Sequence, residues 1–254
     1  MSGAGSARRW QGAAGWQPKG APAEPSAAGG RTLMVINPNS SDAVTEGIAA
    51  ALGPLQGWGV PMRCLTLADG PAAIEADADA ALCVPPLLAL ADRLEGEAAG
   101  FVIACFSDPG LHALRDRTGR PVTGIGEASC LTALGTGERF GILSILPASV
   151  PRHARALRAM GLAARCAGDR AVGLGVAELA DPGRALPRMI ETACRLRDED
   201  GADVLILGCA GMAHARAPLE EATGLPVIDP CQAGAALALT RITLALTQEP
   251  AHAR

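Results

Sequence analysis

Apolar residues in this chain come in short, branched runs separated by stretches with helical spacing of apolar and polar positions. The first run, residues 32–36, predicts a buried strand. It ends in Asn37-Pro38-Asn39-Ser40-Ser41, where Ser41 or Asp42 can cap a helix over residues 43–52. Residues 60–67 predict a second strand, and 76–94 a helix broken near Pro85-Pro86. Residues 101–105 predict a third strand, followed by Ser107-Asp108-Pro109-Gly110, which reads as the start of a helix running to Arg117 and closed by Gly119. A fourth strand at 121–125 and a helix opening at 127–134 complete the first half. The second half predicts strands at 140–145, 203–207 and 226–228, with helices at 154–160, 187–199 and 231–246. Strands alternating with helices imply parallel sheets joined by crossover helices.

The halves also resemble each other in sequence. Thr118-Gly119-Arg120-Pro121-Val122 recurs as Thr223-Gly224-Leu225-Pro226-Val227, the run ending in Cys105 recurs at Cys209, and residues 33–37 resemble 140–144. Each half therefore offers a strand, a cysteine and a possible helix start. In open parallel sheets, ligands bind beyond the carboxyl ends of the strands. Two facing half-domains would point Cys105 and Cys209 into one cleft.

Composition narrows the chemistry. The chain has 254 residues, 49% hydrophobic and 2% aromatic with no Tyr, so its core is built from aliphatic side chains. A net charge of −4, well mixed and without a basic stripe or aromatic platform, argues against a nucleic-acid partner. No apolar run is long enough to span a membrane. Residues 1–30, rich in Gly, Ala, Pro and Ser, read as a disordered tail without a secretory apolar segment. The eight cysteines are scattered, with no zinc spacing, which fits reduced thiols in a cytoplasm.

Most of these thiols read as small buried hydrophobes: Cys64, Cys83, Cys166 and Cys194, and by core packing Cys130 and Cys231. Cys105 and Cys209 stand apart because both end strands at the functional edge. Two thiols on opposite faces of one carbon perform racemisation directly, one removing a proton and the other returning one. A helix N-terminus at each is expected to lower its pKa, and the amides near Phe106, Ser107, Ala210 and Gly211 to hold a developing oxyanion. No metal or organic cofactor is required. Asp108 is expected to be a helix cap, Glu127 to orient a substrate N–H or cap a helix, and His214 to tune Cys209 or lie on the surface. His112, His153 and His252 carry no constellation in the sequence. Gly124-Ile125-Gly126 lacks the rest of a dinucleotide fingerprint.

Asn37-Pro38-Asn39-Ser40, Ala104-Cys105-Phe106-Ser107-Asp108-Pro109-Gly110-Leu111, Gly124-Ile125-Gly126-Glu127-Ala128 and Leu207-Gly208-Cys209-Ala210-Gly211-Met212 resemble the hydantoin and allantoin racemase branch of the aspartate/glutamate/hydantoin racemase superfamily. The resemblance spans residues 32 to about 245. It implies an α/β fold of two pseudo-symmetric lobes, each with a mostly parallel sheet flanked by helices, and the active site between the lobes. The first lobe would be 31–125 completed by 229–247, and the second 126–228. Cys105 and Cys209 would be the two catalytic bases. Asn37, Phe106, Ser107, Ser144, Gly208, Ala210 and Gly211 would contact the substrate, a cyclic ureide, in a cofactor-free homo-oligomer. Phe106-Ser107 and Ala210-Gly211 depart from the Asn-Thr pair and the histidine that glutamate racemases carry there, which argues for a neutral ring over a free acidic amino acid. The presence of Cys105 argues against the decarboxylase branch. An amino-acid racemase or cis–trans isomerase on the same fold, and a small-molecule binding protein, are the alternatives.

Overall fold

The computed structural model describes residues 31–246; the expected tail and residue 247 lie outside the described residues. Two parallel four-stranded sheets organise the chain. Strands β1 (Thr32–Asn37), β2 (Met62–Thr66), β3 (Ala98–Ile103) and β4 (Val122–Gly124) form the first, in the order β2-β1-β3-β4. Strands β5 (Phe140–Ser144), β6 (Cys166–Ala171), β7 (Val204–Leu207) and β8 (Val227–Ile228) form the second, in the order β6-β5-β7-β8. The order is the same in both, and the sequence repeats fall on equivalent strands: β1 on β5, β3 on β7, β4 on β8.

Register places the two cysteines alike. Ile103 pairs with Ile36 and Leu207 with Leu143, so Cys105 and Cys209 each follow the last paired residue by two positions. The next amides close equivalent bonds, Ala104 N–H to the Ile36 carbonyl at 2.8 Å and Gly208 N–H to the Leu143 carbonyl at 2.9 Å. A side chain at Gly208 would lie 2.5 Å from that carbonyl oxygen, so the close approach of β5 and β7 requires glycine there.

Strand alternation divides the core. Leu33, Val35 and Val102 face one side of the first sheet, while Met34, Ile36, Phe101 and Ile103 face the other. On the first of these sides lies the last helix, α9 (Pro230–Thr243), with Cys231, Ala235, Ala238 and Leu239 in the same cluster. Its Gln232 donates to the Ala51 carbonyl at 2.8 Å and its Arg241 to the Val122 carbonyl at 2.8 Å. The helix between the sheets, α5 (Ile125–Leu134), places Ile125 in the first sheet's core and Cys130 and Ala133 in the second's.

Several elements differ from expectation. The helix expected over 76–94 is two, α2 (Asp77–Leu82) and α3 (Val84–Leu94), with Pro85-Pro86 in the first turn of α3, where the missing N–H costs little. Helix α4 (Leu111–Arg117) begins only at Leu111, beyond the expected cap. Helix α6 spans Ser149–Ala159. Helix α7 (Pro182–Asp198) starts at Asp181-Pro182, and Pro187, expected at its first position, lies inside it. The Asp181 carboxylate caps it by accepting the Gly183 and Arg184 amides. Strand β6 and helix α8 (Arg216–Thr223) have no counterpart in the sequence reading.

Candidate active site

The carboxyl ends of β3 and β7 carry Cys105 and Cys209 to one cavity of about 30 Å³. Phe106, Ser107, Gly208 and Ala210 also line it. Asn37, Ser144 and Gly211 do not line it. Asn37 is buried and its amide is consumed locally: Nδ2 donates to Asn39 Oδ1 at 2.9 Å, to the Ser41 carbonyl at 3.1 Å and to Thr45 Oγ1 at 3.1 Å, while Oδ1 accepts the Asn39 amide at 3.2 Å. These bonds hold the Asn-Pro-Asn turn, and Asn39 rather than Asn37 reaches the cavity wall.

The expected helix N-termini are only partly present. Cys209 precedes a single 3₁₀ stretch, Ala210–Ala215, and its sulfur accepts the Gly211 amide at 3.5 Å. Cys105 stands well before α4 and has no helix start beside it, although the Ser107 amide bonds to its sulfur. Contrary to expectation, the net shifts are upward. Burial pushes the Cys105 thiol up to about 12, against the Ser107 amide and with a further push from the charges of Cys209, Cys83 and Asp108. Burial pushes Cys209 up to about 11, against the Gly211 amide and with Glu75 adding to the rise.

Asp108 does cap a helix, but not the one that follows it. Its backbone takes a left-handed φ of 47°, a conformation an Asp tolerates better than most residues. Its carboxylate thereby reaches α5, accepting the Gly126 amide at 2.9 Å and the Glu127 amide at 2.7 Å. The N-cap of α5 is Gly124, which has no side chain to do this. Gly124 and Gly126 are small because the 106–108 loop lies on them: a Cβ at either would overlap Asp108 or the Phe106 carbonyl. Glu127 is taken by Arg115, with both oxygens bonded at 3.0 Å. His214 is exposed.

Other groups on the cavity wall were missed in the sequence. Arg152 on α6 donates through Nε to Ser107 Oγ at 3.0 Å, through Nη1 to the Glu75 carbonyl at 3.2 Å and through Nη2 to Ser149 Oγ at 3.4 Å. Among the described residues it has no carboxylate partner. His153, its neighbour, is buried against Phe106, ring edge to ring face with centroids 4.9 Å apart. Its Nδ1 meets Asp169 Oδ2 at 2.9 Å and Ser144 Oγ at 3.1 Å, and Ser144 also bonds to Asp169. This is not a hydrolytic triad, because Ser144 and Asp169 share one ring nitrogen and no base on Nε2 activates the serine. It explains where Ser144 goes: its hydroxyl fixes His153. Proline and arginine around His153, and an edge strand carrying Asp169, left no sequence signal for this cluster.

Residues of the two halves also contact each other directly. The Glu75 carboxylate accepts the Val176 amide at 2.8 Å, and Arg155 donates to Asp77 at 2.6 Å. No helix among the described residues is long and apolar enough to cross a membrane.

The arrangement has clear relatives. The family model for Asp/Glu/hydantoin racemases matches residues 33–238. A hydantoin racemase of Paenarthrobacter aurescens is 38% identical over 216 residues, 84% of this chain and 91% of that protein. One from Rhizobium meliloti is 38% identical over 201 residues, 78% of this chain and 83% of that protein. The structure of an allantoin racemase from Klebsiella pneumoniae superposes with a TM-score of 0.82 at 33% identity, covering 86% of this chain and 90% of that one. Matched over nearly all its described length in sequence and in fold, the chain belongs to the Asp/Glu/hydantoin racemase family.

Proposed function

We propose that this chain is a cofactor-independent racemase of cyclic ureides, 5-substituted hydantoins or the related allantoin, in which Cys105 and Cys209 are the two bases. The observation that carries this reading is that equivalent strands of two like-ordered sheets end in these cysteines, and that both line one cavity. The relatives named above, two hydantoin racemases and an allantoin racemase, support the substrate class.

The chemistry balances without a co-reactant. One thiolate takes the proton from the stereocentre and becomes a thiol. The electron pair left on carbon moves into the adjacent carbonyl as an enolate, held by backbone amides of the two loops and by the Arg152 guanidinium. The opposite thiol then gives its proton to the other face of the carbon and becomes the thiolate, so the next turnover runs in reverse. A cavity of about 30 Å³ holds little more than a water, so substrate enters when the Arg152, Glu75 and Arg155 contacts part. We take residues 31–125 with 229–247, and 126–228, as the lobes that separate. The free thiols suit a cytoplasm, and the family resemblance carries the expectation of a homo-oligomer.

The test is circular dichroism of single enantiomers of hydantoins, allantoin, aspartate and glutamate, run in heavy water. Racemisation with deuterium uptake is expected on a cyclic ureide, and Cys105→Ser or Cys209→Ser abolishes it in a folded protein. Near-native activity in either variant refutes the two-base assignment, and activity confined to the amino acids refutes the substrate class. Binding without deuterium uptake makes the chain a binding protein.

A further inference from the structure

We propose that His153 is a substrate-binding residue, presenting the bare Nε2 of a neutral imidazole as the acceptor for a ring N–H of the cyclic ureide. This rests on the substrate reading above and adds to it the group that recognises the ring's donor edge.

The argument begins at the other ring nitrogen. Asp169 is a carboxylate that only accepts, and it lies 2.9 Å from Nδ1, so Nδ1 carries the hydrogen. Both side chains are buried, 5% exposed for His153 and 8% for Asp169, and the Ser144 hydroxyl completes the anchor. The Phe106 ring packs against the imidazole and fixes its plane. The hydrogen on Nδ1 and the orientation of the ring are thus set from behind, and in the neutral imidazole that the proposal requires Nε2 carries the lone pair.

That lone pair has no protein donor among the described residues. Nor is Nε2 sealed from solvent: the sealed, unpartnered side-chain atoms among the described residues are Arg120 Nε and Thr123 Oγ1. His153 lines the cavity that holds Cys105 and Cys209, and it lines the adjoining hollow of about 270 Å³ as well. The ring that carries Nε2 therefore borders the space a ligand would occupy.

Complementarity points the same way. A cyclic ureide presents both carbonyl acceptors and N–H donors. Donors on this wall are plentiful, with Arg152 foremost, but acceptors are not. Asn39 Oδ1 is filled by Asn37 Nδ2 and the Ser41 amide, each at 2.9 Å. Ser107 Oγ and Ser149 Oγ each already take an Arg152 donor, which leaves one lone pair apiece. His153 Nε2 is the side-chain nitrogen acceptor left for a ring N–H, and a site built to pair that donor rejects analogues lacking it.

Two measurements test this. The first compares L-5-methylhydantoin with its N1-methyl and N3-methyl derivatives, in wild type and in His153→Ala, by blank-corrected loss of circular dichroism. Losing one hydrogen bond should cost His153→Ala about tenfold in kcat/KM on the parent, carried mainly by KM. On one of the two methylated compounds the loss should vanish, because the bond is already missing. A loss equal on all three compounds, or none on the parent, overturns the proposal. The second uses the intact protein, so a variant that fails to fold does not matter. In the ¹⁵N-histidine spectrum of wild type, the imidazole signal with nuclear Overhauser contacts to the Phe106 ring should show Nδ1–H with a bare Nε2, and its Nε2 resonance should move on saturation with L-5-methylhydantoin. An Nε2–H tautomer in the free protein, or an unmoved resonance, overturns the proposal. If wild type racemises none of the hydantoins or allantoin, the substrate reading fails instead. If wild type is active and both His153 readouts are negative, only the present proposal fails.

Discussion

Gly126→Ala separates two opposed effects on one residue. Gly126 is the second residue of α5, a position where helix propensity alone favours alanine by up to about 1 kcal/mol. The added methyl, however, would sit deep inside contact distance of the Phe106 carbonyl oxygen, 3.2 Å from its carbonyl carbon and 3.1 Å from Asp108 Oδ2. These are backbone atoms and a carboxylate already bonded to α5, so neither can swing aside. Restoring an ordinary C···O contact of about 3.3 Å moves the 106–108 loop on the order of 1 Å. Overpacking of this kind costs about 1–3 kcal/mol, which outweighs the propensity gain, so the variant is destabilised rather than stabilised. Because Phe106 directly follows Cys105, the same displacement moves the thiol that the two-base proposal aims at the stereocentre, and misplacement by about 1 Å costs about a hundredfold in turnover. Gly135→Ala is the matched control: it caps the same helix at φ −85°, and its methyl would meet only the Thr132 carbonyl at 3.5 Å. Urea unfolding and blank-corrected racemisation of both variants decide the matter. A Gly126→Ala protein with wild-type kcat/KM, or a Gly135→Ala protein equally impaired, refutes the claim that the loop rests on α5.

Three further outcomes follow from the ionisable groups. With Cys209 pushed up to about 11, the thiolate at pH 8 is about one part in a thousand of the free enzyme, so kcat/KM should climb about tenfold per unit between pH 7 and 10; a profile flat across that range contradicts it. Glu75 adds to the rise at Cys209, so Glu75→Gln should move the rising limb to lower pH, and a limb that stays or moves up removes Glu75 from the account. Burial lifts Asp108 to about 7, so the folded chain holds that proton more tightly than the unfolded chain, whose carboxylates titrate near about 4. The stabilisation is complete below the lower value and is lost as pH rises through about 7; urea midpoints of wild type should fall across this window, and Asp108→Asn should flatten that part of the slope.

What could be read from the sequence was what lies in the buried strands. β1, β3, β5 and β7 are apolar runs that end in polar or Gly-Cys punctuation, and both repeat and cysteines were visible because burial on two faces leaves few residue types to choose from. β6 escaped notice because it is an edge strand: residues Cys166–Ala171 are all half-buried and include Asp169 and Arg170, so no apolar alternation survives. In helix α7, Pro187 imitates a first-turn proline, while the actual start at Asp181-Pro182 is the same signal five residues earlier. The thiol pKa values depart from expectation for a different reason. A cysteine after a strand suggests an adjacent helix start, but whether the chain turns at once, as at Ala210, or wanders to Leu111 depends on tertiary contacts that Asp108 makes eighteen residues away.

The repeat and its breaches have separate jobs. Equal strand order and register deliver two sulfurs to equivalent points, which the proposed two-base reaction requires. The substrate, by contrast, has unlike edges, so the surroundings of the sulfurs cannot be equal. At the end of β1, buried Asn37 spends its amide on Asn39, Ser41 and Thr45 and stiffens a turn; at the equivalent end of β5, Ser144 spends its hydroxyl on His153 and Asp169 and aims an imidazole. In the first half a carboxylate, Asp108, reaches across to hold the loop after Cys105. In the second, the Gly211 amide turns back on Cys209 itself. On the two-base proposal, symmetric backbone places the two sulfurs, and the polar groups buried just beneath them, which differ between halves, supply the orientation that symmetry cannot.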